Sequence, residues 1–244
     1  MVLYQLESPM RVITIYVAQM LVCLSFAYLA YRILKRDRKR LNLIFAGFYL
    51  FGVIGNIFNF IYGPIDTIPV ILVLNFLTNF FLFYSPIFFV VFELMLLKSE
   101  KYINTTKQLL ILIGYGMFMF FMILFSLSGQ GVTLDASTDW LPVWGLPLFL
   151  YLIIGESIFA VGPVFYLSYR AYYKFEDAQL KKKWKNFIYG FGVYMIFLYT
   201  IFISNTLNNS VFRLVAGIIG LICALVGGYL MYSMFIGVTR QLEK

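Results

Sequence analysis

The sequence predicts an all-α membrane protein of seven transmembrane helices, N-terminus outside and C-terminus cytoplasmic, forming a single domain over residues 1–244. Three observations carry this. Hydrophobic residues make up 62% of the chain and aromatics 20%, with mean hydropathy +0.87, far outside the range of soluble domains. Apolar runs of about twenty residues, each enough to cross roughly 30 Å of hydrocarbon, recur between short polar breaks. Lys and Arg concentrate in the first, third and fifth connections and the C-terminus, which together take all but Arg11 and Arg213 of the nineteen. The positive-inside rule then gives an odd number of spans, and seven fits the length.

Segment one runs from about Arg11 to Leu34, stops at the charged run from Lys35 to Arg40, and lacks a cleavage site, so it is expected to stay as a helix. Segment two, Leu41 to Gly63, ends at a Gly63–Pro64 turn, since Gly and Pro punctuate helices. Segment three extends from Ile68 to Leu97 and is long enough to tilt; segment four covers Gln108 to Ser128. The longest loop, Gly129 to Gly145, contains Asp135 and Asp139 and no Lys or Arg, as an outer loop should. Segment five starts at Leu146 and reaches Leu167, followed by a basic foot from Arg170 to Lys185. Segment six is Asn186 to Leu207, and segment seven follows a turn at Asn208 to Ser210 and ends near Val238, leaving a short tail. Trp140 and Trp144 in the outer loop and Trp184 at the inner foot match interfacial aromatic belts.

Composition excludes several functions. The net charge of +8 sits at helix ends, facing anionic headgroups of the lipid bilayer, so nucleic-acid binding is not expected. There is no histidine, and Cys23 and Cys223 are the only cysteines. No metal site and no cofactor is expected from that ligand set, and no enzymatic activity, since no nucleophile stands beside a base.

Helix rise converts sequence position into depth. Measured from each outer end, Asn59 and Asn56 lie about 6 and 10 Å down segment two, Asn75 and Asn79 about 10 and 15 Å down segment three, and Glu156 about 15 Å down segment five. Asn205 belongs to the outer half of segment six and Gln19 to segment one. An outward-facing polar cavity for a small-molecule ligand follows, lined by Asn56, Asn59, Asn75, Asn79, Asn205 and Glu156. A bland alternative has the Asn amides bonding helix to helix, each worth about 0.6 to 2 kcal/mol. Glu156 is the sharper signal, because a charge at the bilayer centre costs about 2.5 kcal/mol or more and no cation is expected at its depth. Glu93 lies about a turn from Lys98 and is expected to reach the inner interface.

Segment seven carries Ala216, Gly220, Ala224 and Gly228 at four-residue spacing, a face that lets another helix approach closely. It is read as packing within the chain, with a homodimer contact as the second reading. Lys181, Lys182, Lys183 and Lys185 form a surface for a cytoplasmic signalling partner, or a plain headgroup anchor.

The foot of segment five, with Tyr169, Arg170, Gln179, Leu180, Lys181, Lys182, Lys183, Trp184 and then Gly190, resembles the seven-helix membrane sensor domain that stands before many prokaryotic histidine kinases. That family continues into signalling domains, which this sequence does not contain. The resemblance implies a receptor-like or sensor protein of the cell membrane, signalling through a separate partner. The alternatives are a proton- or cation-coupled transporter or channel using Glu156, and a structural subunit of a membrane complex.

Overall fold

The computed structural model describes residues 13–242 other than 66, 100, 101, 136, 137 and 139, with side chains from 16 to 236. Arg11, Asp66, Glu100, Lys101 and Asp139 therefore lie outside the described residues. Among the described residues, seven helices are long and apolar enough to cross a membrane: α1 (Tyr16–Arg36), α2 (Arg40–Tyr62), α3 (Ile68–Lys98), α4 (Thr105–Leu127), α5 (Leu146–Lys174), α6 (Ala178–Leu207) and α7 (Ser210–Leu242).

Local chemistry explains where they stop. Between α1 and α2, Asp37 is extended, and its carboxylate takes the Lys39 amide at 3.0 Å while Asn42 bonds the Asp37 carbonyl. The side chain and amide of Lys39 hold the Asp37 carboxyl below the usual carboxylate range. Pro69 opens α3 at a position where an N–H would have no partner anyway. Within α3, helix gives way to a turn at Ser85–Pro86 because Pro86 donates no hydrogen bond; Ser85 Oγ bonds the Leu82 carbonyl at 2.7 Å. Asn104 caps α4 and Asp177 caps α6, each accepting backbone amides of the first turn. Asn208, left-handed at φ 47°, closes α6.

The helices form a closed bundle. α1–α2, α2–α3 and α6–α7 are antiparallel neighbours, α7 meets α1, and α3 lies inside against α2 and α5. α4 is peripheral, touching α3 and the start of α5. The half of the core nearer the α1–α2 connection is a continuous aromatic cluster in which Phe45, Phe48, Phe89, Phe92, Phe187 and Phe191 are buried edge to face, tilted or stacked. Offset and edge-on ring pairs add to area burial.

Four expectations are corrected. The basic foot is not a loop: α6 begins at Ala178 because Asp177 supplies an N-cap, so Lys181, Lys182, Lys183 and Lys185 occupy its first two turns. The long α4–α5 loop contains a short hairpin, β1 (Val132–Thr133) paired with β2 (Val143–Trp144). Trp144 and Trp184 are buried at 3% and 0% exposure instead of sitting in interfacial belts. Their size makes a core position as favourable as the interface once a neighbour offers a matching surface. Glu93, expected to reach the interface, is fully buried; the turn at Ser85–Pro86 offsets the rotation of the C-terminal half of α3, which sequence spacing does not reveal.

Candidate functional site

An irregular helical geometry lies directly after Glu156; a π-helical stretch also opens the first helix at Ile13–Ala18. From Ser157 to Val161 α5 widens into a π-turn, with the Gly162 amide reaching back to the Ser157 carbonyl. Two features favour it: Ser157 Oγ bonds the Ile153 carbonyl at 2.6 Å, and Pro163 cannot supply the next α-helical donor. A wider turn takes more residues per revolution. Leu152, Glu156, Ala160, Val164 and Ser168, at strict four-residue spacing, therefore all face inward and are at most 1% exposed, where an ideal α-helix would rotate them progressively away. π-turns inside α-helices recur at functional sites.

Glu156 itself is fully buried, and among the described residues no cation forms an ion pair with it. Its Oε2 accepts the hydroxyl of Tyr115 on α4, while Oε1 is buried with no hydrogen-bond partner. The Tyr115 hydroxyl also lies 3.1 Å from the Phe83 carbonyl. A phenol has one proton and here faces two acceptors. Both contacts are satisfied together when the carboxyl carries a proton that the phenol oxygen accepts. Hydroxyls surround the group: Ser157 Oγ and Tyr199 OH are 2.7 Å apart, and Tyr194, buried without a hydrogen bond, has Ser85 and Glu156 as polar neighbours. The site is thus a carboxyl bonded to Tyr115 of α4, near three hydroxyls on α5 and α6, Ser157, Tyr194 and Tyr199, and near Ser85 of α3.

A second carboxyl lies nearer the other end. Glu93 on α3 accepts the Ser168 hydroxyl from α5, and the Ser168 carbonyl accepts the indole N–H of Trp184 at 2.8 Å. Glu93 Oε2 is buried and unpartnered, like Glu156 Oε1. Twelve residues of α5 separate Ser168 from Glu156, roughly 18 Å along the axis.

The asparagines form a separate network between α1, α2 and α3. Asn59 bonds Gln19; Asn75 donates to Tyr62 OH at 3.2 Å, and Asn79 to Asn75 at 3.0 Å. Asn56 turns back to its own helix, donating to the Gly52 carbonyl at 2.8 Å. Asn205 is half-buried on α6. The carboxyl's hydrogen bond comes from Tyr115, not from any of these amides, so the bundle contains two polar clusters where one cavity is expected from sequence.

Lys182 and Lys185 are exposed, Lys181 and Lys183 half-buried, and Lys181 and Lys185 lie over the Tyr172 ring at 5.9 and 5.6 Å. On α7, Ala216 and Ala224 are buried, Gly220 faces Phe197 of α6 and Gly228 faces Phe26 of α1. Within the chain this face has helical neighbours. The closest backbone approach falls one residue away, at Gly227 against Gly190. Cys23 and Cys223 are free thiols.

Depth arithmetic does contain the missed partners. Tyr115 is about 18 Å from the Leu127 end of α4 and Glu156 about 15 Å from the Leu146 end of α5; Glu93 and Ser168 lie about 8 and 9 Å from the Lys98 and Lys174 ends of α3 and α5. Among 19 tyrosines the signal does not stand out. No family model matches the chain, and no curated protein or solved structure matches it either.

Proposed function

We propose that the chain is a non-enzymatic, receptor-like sensor of the cell membrane, N-terminus outside and C-terminus cytoplasmic, in which Glu156 takes a proton or small cation. A separate cytoplasmic partner would read the change at Lys181, Lys182, Lys183 and Lys185. The single observation that supports it most is the buried, unpartnered Oε1 of Glu156 beside a π-turn. An acceptor left open in the bundle costs about 1–3 kcal/mol, and the adjoining π-turn lies on the stretch of α5 between Glu156 and Ser168, whose carbonyl accepts the Trp184 indole N–H, so a change of winding there would reach Trp184.

The test reads Trp184 alone, in a Trp140→Phe/Trp144→Phe background reconstituted in nanodiscs, while pH, Na⁺, K⁺ and methylammonium are varied. A saturable emission change is expected that Glu156→Gln removes and Glu93→Gln retains. An unchanged response in Glu156→Gln sinks the reading.

A proton-coupled transporter is the second reading, favoured by the second buried carboxyl, Glu93. It requires acid-driven flux into dye-loaded proteoliposomes that Glu93→Gln and Glu156→Gln each abolish.

Orientation rests on the charge distribution, since Lys and Arg cluster at one end of the bundle. Cysteines introduced at Gln130 and Gln179, both exposed, in a Cys23→Ala/Cys223→Ala background separate the two sides. A membrane-impermeant thiol reagent on intact cells is expected to label Gln130→Cys only; labelling of Gln179→Cys only inverts the topology.

A further inference from the structure

The ends of α1 and α7 near the α1–α2 connection enclose a groove of about 670 Å³. Its chemistry is divided. Arg32, Lys35 and Arg36, at i, i+3 and i+4 on one face of α1, line it together with Tyr28, Tyr232 and Ile236. The arginine is presented, not loose: Arg32 donates to Tyr28 OH at 2.7 Å across one helical turn, stands 5.6 Å from that ring, and has Tyr232 of α7 as a second hydroxyl neighbour. Lys35 stands 5.5 Å from the Tyr31 ring, and Arg36 reaches the Ile236 carbonyl at 3.4 Å, tying the two helices together at the floor. The nearby acid, Asp37, is engaged by Lys39 at 3.1 Å, and among the described residues no acidic side chain lines the groove.

From this juxtaposition we infer that the α1–α7 groove is a binding site for one anionic phospholipid, its phosphodiester on Arg32 and Lys35 and its acyl chains along the exposed apolar flank of α1 that Leu21, Leu24 and Tyr28 present. Charge complementarity and position select a lipid. Cations and tyrosine hydroxyls suit phosphate oxygens, the groove lies at a helix end where headgroups lie, and basic pockets between transmembrane helices hold acidic headgroups. The apolar flank gives the tails a surface that a free phosphate would not use. This inference is independent of Glu156, which lies on the far side of the aromatic core.

Full-length protein in neutral detergent, titrated with phosphatidylglycerol and followed by native mass spectrometry, tests it. A saturable one-to-one adduct is expected, with phosphatidylcholine much weaker. Arg32→Gln/Lys35→Gln is expected to weaken phosphatidylglycerol about 25-fold, at roughly a fivefold loss per surface cation. Both side chains are exposed, so the fold is expected to persist, and the charge-keeping pair Arg32→Lys/Lys35→Arg should restore most of the binding. Lys98→Gln/Lys107→Gln, two exposed lysines at the facing ends of α3 and α4 and equal in charge lost, should leave it unchanged. Equal weakening by both neutralised pairs, a signal that never saturates, or displacement of the lipid by excess inorganic phosphate would each overturn the site.

Discussion

A Gly227→Ala variant is expected to melt well below the parent protein, while Gly217→Ala, ten residues earlier on α7, is expected to melt at or slightly above it. Both changes replace glycine by the best helix former, a gain of about 1 kcal/mol in a helix interior. The difference lies in what the new methyl meets. At Gly217 nothing lies within 4 Å of it. At Gly227 it would stand 2.6 Å from the Gly190 carbonyl oxygen and 2.8 Å from the Tyr194 amide nitrogen, both backbone atoms of α6. No rotamer change relieves that contact, so α6 and α7 must separate, and the interdigitated aromatic core between them loosens. Overpacking of this kind costs about 1–3 kcal/mol, which exceeds the propensity gain. Cys23, buried at 7% exposure, provides the readout: a thiol-reactive dye reports when unfolding exposes it. If the two variants melt together, the helix pair is not held at the distance described.

The same contrast shows what was legible in the sequence. Helix ends were written in local chemistry: the Lys35 to Arg40 run, Gly63–Pro64 and Asn208 each act within a turn of themselves, so span limits could be read to within a few residues. There were two exceptions: α5 runs on to Lys174, past the expected limit at Leu167, and α6 starts at Ala178, where Asp177 as an N-cap residue was a signal too, but four nearby lysines read more readily as loop. Depth was legible for the same reason, because helix rise is constant. Rotation about each helix axis was not. It decides whether Glu93 reaches the interface or Ser168, and whether Glu156 meets an asparagine or Tyr115. In α3 and α5 that rotation depends on the break at Pro86 and the π-turn after Glu156, whose angular effect arises from backbone geometry and not from residue spacing. Small residues told only half: the Ala216 to Gly228 stripe marked α7 as a packing helix, while the tightest contact needed a glycine on each side, Gly190 and Gly227.

Tyr115→Phe is expected to cost about 1–3 kcal/mol, and removing the carboxyl as well is expected to recover most of it. In the parent protein Glu156 has one oxygen bonded to Tyr115 and one bonded to nothing. Taking away the phenol leaves a buried carboxyl with no partner at all, the situation in which the full desolvation penalty is felt. Replacing Glu156 by methionine, apolar and of similar length, removes the orphaned acceptor and leaves Tyr115 its contact with the Phe83 carbonyl at 3.1 Å. Glu156→Met alone should therefore match or exceed the stability of the parent, as apolar replacements of buried polar groups often do, and Tyr115→Phe/Glu156→Met should stay close to it. The cycle then yields a coupling energy between the two side chains comparable to the Tyr115→Phe loss itself. A stable Glu156→Met protein whose Trp184 no longer answers to protons or cations would mean that the carboxyl is kept against the interest of stability, which is the signature of a working group. If Glu156→Met instead destabilises as much as Tyr115→Phe does, the pair is a structural strut between α4 and α5, and the sensor and transporter readings both lose the residue on which they stand.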